Sequence, residues 1–175
     1  MLNHIFSFLT VALALAVGMV GTPPSVDQIE IEIATPAMPD YTGGCRTPAP
    51  PGFNAAIEAA ATEYGVPPWA VAVTAWRESG CKRTATGAAG EIGLMQINPS
   101  VWTATLKKAG IIRASSDLYN VTTNIRAGAY ILARIHAKTG DLETTFARYN
   151  GAGGKARAYA RDQMRVYTTV SREMQ

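Results

Sequence analysis

From Phe53 to the C-terminus the apolar residues of this chain recur every three or four positions, and no stretch alternates as a strand would. That pattern restricts the body to packed helices. Phe53, Ile57, Ala60 and Tyr64 form the first stripe, and Gly65 stands where a left-handed helix cap belongs. Pro67 and Pro68 open a second helix, because a first-turn proline gives up only an N–H that has no helical partner. Trp69, Val73 and Trp76 carry its stripe, and Gly80 ends it. A third helix is expected from Pro99 or Ser100 to Gly110. A fourth runs from Val121 to Lys138, with Ile125, Ala129, Leu132 and His136 on one face and Ile131 and Ile135 widening it. Asp141 can cap a fifth helix whose stripe is Leu142, Phe146 and Tyr149. A sixth spans Lys155 to Thr169. The one long connection is 80–98, with glycines at 80, 87, 90 and 93. A loop of that length in a helical body usually carries a function.

The first fifty residues have another character. Residues 5–20 are apolar and uncharged. The run is short for a membrane span, which needs about 20 residues. It fits the core of a secretory signal, with the small residues Ala16, Gly18 and Gly21 following. Only His4 precedes it, without Lys or Arg, so an uncleaved anchor is the second reading of 1–21. Residues 22–51 hold seven of the ten prolines and read as a linker, within which 27–33 alternates as a short edge strand could. The helical domain is then 52–175. In an exported chain Cys45 and Cys81 are expected to pair. The bridge would close a loop of about 37 residues, worth roughly 4 kcal/mol in the chain-entropy account. Two separate buried thiols are the other reading.

Charge is divided unevenly. Residues 1–40 carry four acids and no Lys or Arg; residues 41–175 carry all 16 basic residues against nine acids, a net of +7. A basic body suits an anionic partner, whether nucleic acid, a membrane surface or an acidic polymer. Lys155, Arg157, Arg161 and Arg165 lack interleaved stacking aromatics beyond Tyr159, so they read as a solvated helix face and not as a nucleic-acid patch. There is no phosphate-binding Gly-Lys-Ser/Thr loop, no Gly-x-Ser-x-Gly elbow and no clustered His/Cys metal set. His136 is isolated and reads as a boundary residue. No cofactor or metal is called for.

Glu78 is the residue with chemical promise. It lies in the last turn of an apolar helix, where the dipole's partial negative charge disfavours an ionised carboxylate. Burial would push the same way, giving an acid able to donate a proton near neutral pH. The glycine-rich loop that follows can bring backbone close to a bulky ligand. On position alone, an ordinary exposed glutamate paired with Lys82 or Arg83 is the favoured account.

Four ordered motifs decide between them: Glu78-Ser79-Gly80, then Gly90-Glu-Ile-Gly93-Leu94-Met95-Gln96-Ile97-Asn98-Pro99, then Asn124-Ile-Arg-Ala-Gly128, then Arg148-Tyr149-Asn150-Gly151. Together they closely resemble the soluble lytic transglycosylase family, over about residues 53–170. The resemblance implies a mainly α, lysozyme-like domain of the goose-type and transglycosylase kind that cleaves peptidoglycan. It implies that Glu78 is the single catalytic acid and base, protonating the glycosidic oxygen between N-acetylmuramic acid and N-acetylglucosamine. Glu78 then takes the proton of the muramic acid 6-hydroxyl as that oxygen attacks C1. The product is a 1,6-anhydro end, and the substrate's N-acetyl group is thought to assist in place of a second carboxylate. Met95 and Gln96 match positions lining the sugar cleft. Tyr149 matches a tyrosine whose hydroxyl reaches toward the catalytic carboxylate. Asn150 would hold the loop, and Ser79 would orient Glu78 or bond substrate. For Met95 plain core packing weighs nearly as much; for Leu94 and Ile97 it weighs more.

Three positions depart from the family pattern. Cys81 replaces a frequent aromatic, in keeping with a disulfide particular to this chain. Gly87 stands where a serine is common, which removes one expected substrate contact. Glu91 and Ile92 replace the usual small-plus-variable pair; turned inward, Glu91 would be a second carboxylate and permit hydrolysis, and turned outward, a solvated loop residue. The implied setting is the periplasm or cell envelope. The implied partners are peptidoglycan strands and components of a secretion, conjugation or phage apparatus, with no nucleic acid, and membrane only through the N-terminal segment. A hydrolytic muramidase and a non-catalytic wall-binding scaffold are the rival functions.

Overall fold

A computed structural model describes residues 39–151 and 154–173, within a unit spanning Ala37–Gln175. The expected signal or anchor, the alternating run 27–33 and most of the linker lie outside the described residues. Among the described residues six helices follow in order: α1 Phe53–Tyr64, α2 Pro68–Ser79, α3 Pro99–Lys108, α4 Val121–Thr139, α5 Leu142–Asn150 and α6 Gly154–Glu173. A short 3₁₀ turn, Ser115–Tyr119, precedes α4.

Local chemistry sets the helix ends. Gly65, Gly80 and Gly140 close α1, α2 and α4 in left-handed geometry. Asn98, Asn120 and Asp141 cap α3, α4 and α5, each side chain accepting a first-turn N–H. The stop of α2 matters most, because Glu78 sits just inside it. The Gly80 N–H returns to the Trp76 carbonyl at 3.0 Å. The chain then holds a second left-handed residue, Cys81, at φ 69°. A side-chain-bearing residue pays strain there; its disulfide to Cys45 fixes it (Cα–Cα 5.3 Å).

α2 is the central element. It packs on α1, α4 and α6, while α5 lies between α4 and α6. Every residue from Ala70 to Trp76 is buried, so the helix shows no polar face over two turns, where the sequence stripe of Trp69, Val73 and Trp76 suggested one. Burial of Val71, Val73 and Trp76 contributes about 1.5–3 kcal/mol each. Thr74 is accommodated by donating to the Ala70 carbonyl and accepting from Gln163 Nε2 at 2.7 Å.

Residues 39–51, read from their prolines as the tail of a linker, lie against the helices. Tyr41 is 2% exposed and edge-packed on Trp69. Its carbonyl accepts from Trp76 Nε1 at 2.8 Å. Thr47 donates through N–H and hydroxyl to the Gly80 carbonyl. This strap and the disulfide grip the end of α2.

Candidate active site

The long loop 80–98 folds back on itself. Ile92 and Ile97 exchange backbone hydrogen bonds at 2.9 and 3.0 Å, and Gly93 N–H reaches the Ala85 carbonyl at 2.8 Å. Two polar side chains fasten it. Ser79 donates to the Leu94 carbonyl at 2.8 Å. Asn124 of α4 accepts from Met95 N–H at 2.8 Å and donates to the Ile92 and Leu118 carbonyls at 3.0 and 2.7 Å. The Asn124–Gly128 motif thereby has a physical meaning. Asn124 ties the loop to α4, and Gly128, one turn on, leaves the space that Met95 fills.

The loop, the end of α2, the start of α3 and the end of α5 enclose a cleft of about 380 Å³. Glu78, Glu91, Gln96, Tyr149 and Asn150 line it, with Trp102 and Val101 at the α3 side. A larger cavity of about 550 Å³ lies between the strap, α2 and α6. Among the described residues its only lining carboxylate is the exposed Asp40, whereas the smaller cleft is lined by the half-buried Glu78.

Glu78 is half-buried, and its Oε1 accepts from the Tyr159 hydroxyl at 2.6 Å. Burial pushes its carboxyl above the ordinary range. The Tyr159 bond pulls it back, the charge of Glu91 adds to the rise, and Arg77 and Asn150 oppose it weakly. Tyr159 is itself held from outside: the Arg77 guanidinium lies over its ring at 5.9 Å and pairs with Asp162. Burial and the neighbouring Glu78 charge raise the Tyr159 hydroxyl far above its usual value, so it stays a donor.

The residues singled out by sequence divide into two groups. Glu78, Gln96, Tyr149 and Asn150 line the cleft together. Gln96 takes a left-handed backbone, φ 46°, while its Nε2 donates to the Gly93 and Ala85 carbonyls at 2.9 and 3.3 Å. Met95 does not line the cleft. Its side chain is fully buried against Gly128, and only its backbone serves the site. Ser79 bonds the loop and the Ala75 carbonyl, not the Glu78 carboxylate. The Tyr149 hydroxyl, expected on Glu78, donates to the Met95 carbonyl at 2.8 Å. The tyrosine on Glu78 is Tyr159, 81 residues away in the chain. Its one signal in the sequence is its place with Ala156, Ala160 and Gln163 on the inward stripe of α6.

Glu91 turns inward and lines the cleft. Lys155, Arg157, Arg161 and Arg165 are exposed, as a solvated face should be. His136 bonds Thr145 across the α4–α5 contact at 3.1 Å. Among the described residues no group of three or more His, Cys, Asp and Glu gathers to hold a metal ion, and no helix is long and apolar enough to cross a membrane.

Comparison with known proteins bears on the fold and the family. A transglycosylase of the Enterobacteria phage PRD1 is 34% identical over 100 residues, which is 57% of this chain and 35% of that one. The lytic transglycosylase Slt of Pseudomonas aeruginosa, solved as an inactive mutant, superposes with a TM-score of 0.62 at 20% identity, over 69% of this chain and 24% of its own. A 70-kDa soluble lytic transglycosylase solved with bulgecin A gives 0.54 at 24% identity, over 66% and 19%. The chain thus spans about a third or less of the length of these relatives. The family model described as the transglycosylase SLT domain matches residues 55–169, from α1 through nearly all of α6, and the chain belongs to that family.

Proposed function

We propose that this chain cleaves the β-1,4 bond between N-acetylmuramic acid and N-acetylglucosamine in peptidoglycan and leaves a 1,6-anhydro end. Glu78 is the acid and then the base. The observation that carries the reading is the state of Glu78: a half-buried carboxyl, raised by burial, opening on a cleft and oriented by one phenol. A raised carboxyl keeps its proton closer to neutral pH and can give it to the leaving sugar oxygen. Once ionised it is a carboxylate stabilised by the Tyr159 hydrogen bond, ready to take the 6-hydroxyl proton. In this reading Gln96, Tyr149 and Asn150, which line the cleft, contact the glycan, and Ser79 and Met95 support the loop beneath it.

The chain acts outside the cytoplasm, carried there by its first 21 residues. The disulfide suits that compartment. Local wall opening for a secretion, conjugation or phage apparatus is the role consistent with a small domain and with similarity to a phage transglycosylase. The test is mass spectrometry of muropeptides released from purified sacculi by the full chain, beside Glu78→Gln. Anhydro-muropeptides from the wild type alone support the reading. Reducing-end products make the enzyme a muramidase. Binding to sacculi without release of muropeptides makes it a scaffold.

A further inference from the structure

The cleft is lined by two carboxylates, Glu78 and Glu91, and the chemistry proposed above uses one. Glu91 stands in the loop across from Glu78, in a position built for it. Its Oε2 accepts from Ala89 N–H at 3.0 Å. The space where a side chain at residue 87 would begin is taken by the Glu91 carboxylate and by Gln96 Oε1, so only glycine at 87 leaves Glu91 where it lies. The Gly87 N–H donates in turn to the Glu91 carbonyl at 2.9 Å, which closes the turn that presents it. Gln96, which shares the pocket over Gly87, is anchored twice to loop backbone. A glutamate that merely solvated a loop would need neither the missing side chain at 87 nor a held place on the cleft wall.

We propose that Glu91 is a second catalytic carboxylate, whose negative charge stabilises the positive charge that develops at the muramic acid C1 and ring oxygen. This rests on the lytic reading of the site. Glu78 gives its proton to the leaving oxygen as the C1–oxygen bond breaks. The electron deficiency at C1 is shared with the ring oxygen and faces Glu91. The 6-hydroxyl oxygen then bonds to C1, and its proton returns to Glu78. Glu91 forms no bond and moves no proton. Its charge has a second effect: it disfavours ionisation of Glu78 and so helps keep the acid protonated before the reaction.

The test uses the full chain and a soluble tetrasaccharide of alternating N-acetylglucosamine and N-acetylmuramic acid, with kcat and KM followed against pH. Glu91→Gln keeps the shape and removes the charge. It is expected to lower kcat about 100-fold, the scale for losing one preorganised electrostatic group, with KM changed less than about threefold. It should also move the basic limb of the profile to lower pH. Gly87→Ala, which crowds the carboxylate while sparing its charge, should lower kcat less and leave the limb nearer its wild-type position. Melting temperatures of both variants report folding. A Glu91→Gln enzyme with kcat within threefold of the wild type and an unmoved limb overturns the proposal. So does a loss of rate matched by a loss of melting temperature with the limb in place. Reducing-end products that the wild type makes and Glu91→Gln abolishes also overturn it, since Glu91 would then be taking a proton from water. A wild type that cleaves nothing, with Glu78→Gln no different, refutes the lytic reading itself and this proposal with it.

Discussion

Asn124 offers the sharpest test of how the loop is held. Its side chain is 1% exposed and satisfies three backbone groups from two segments: Met95 N–H and the Ile92 carbonyl of the loop, and the Leu118 carbonyl of the 3₁₀ turn. Asn124→Ala leaves the Met95 N–H and the Leu118 carbonyl unpaired in a dry interior, while the Ile92 carbonyl keeps the Ile97 N–H. Each orphaned buried group costs about 1–3 kcal/mol. Entry of one water would satisfy part of this pair, so the net loss is about 2–4 kcal/mol. An ordinary domain is stable by only about 5–15 kcal/mol, so such a loss is a substantial share of the whole. Asn124→Asp is subtler. It keeps the acceptor for Met95 N–H but turns two donors toward carbonyl oxygens into a second acceptor. Its cost should ease as pH falls and the carboxyl regains a proton to donate. Equilibrium urea unfolding followed by fluorescence of Trp69, Trp76 and Trp102 measures the loss, and muropeptide release measures the site. Activity should fall further than the folded fraction, because Met95 carries the carbonyl that holds Tyr149. An Asn124→Ala protein that loses under 1 kcal/mol and cleaves at the wild-type rate would refute the reasoning.

Other outcomes follow from the same geometry. Tyr159→Phe removes the bond that favours ionised Glu78, so the basic limb of the pH–rate profile should move up; Tyr149→Phe should move it less, since that hydroxyl is spent on Met95. Glu78 has a folded-state pKa raised above its unfolded value. Its contribution is therefore fully present below the unfolded value and is lost as pH rises through the folded one. Glu78→Gln should accordingly melt above the wild type at pH 7, and the gap should close toward pH 4 in calorimetry. Reducing the Cys45–Cys81 bridge should cost roughly 4 kcal/mol in guanidinium unfolding. It should also loosen the strap that Trp76 holds through the Tyr41 carbonyl, seen as faster amide exchange at Thr47.

The amino-acid sequence by itself determined the helices and their order, because what it encodes most strongly is local. Gly65, Gly80 and Gly140 stop helices through their own backbone freedom, and Asp141 starts one through its own side chain; neither needs the rest of the fold. The period of Phe53, Ile57 and Ala60 is likewise a property of a single segment. Glu78 could be singled out for the same reason: its place at a helix end and four ordered motifs are read along the chain. Tertiary structure alone decided which groups meet there. Tyr159 reaches Glu78 because α6 crosses α2, a contact with no local signature. Met95 turned into the core because Gly128, 33 positions on, left a hole of its size. Residues 39–51 became a strap because Tyr41 could bury its ring beside Trp69, which outweighs their proline content. Glu91 could point inward or outward by sequence. The empty space at Gly87 and the Ala89 N–H turned it into the cleft, and both act only once the loop is folded.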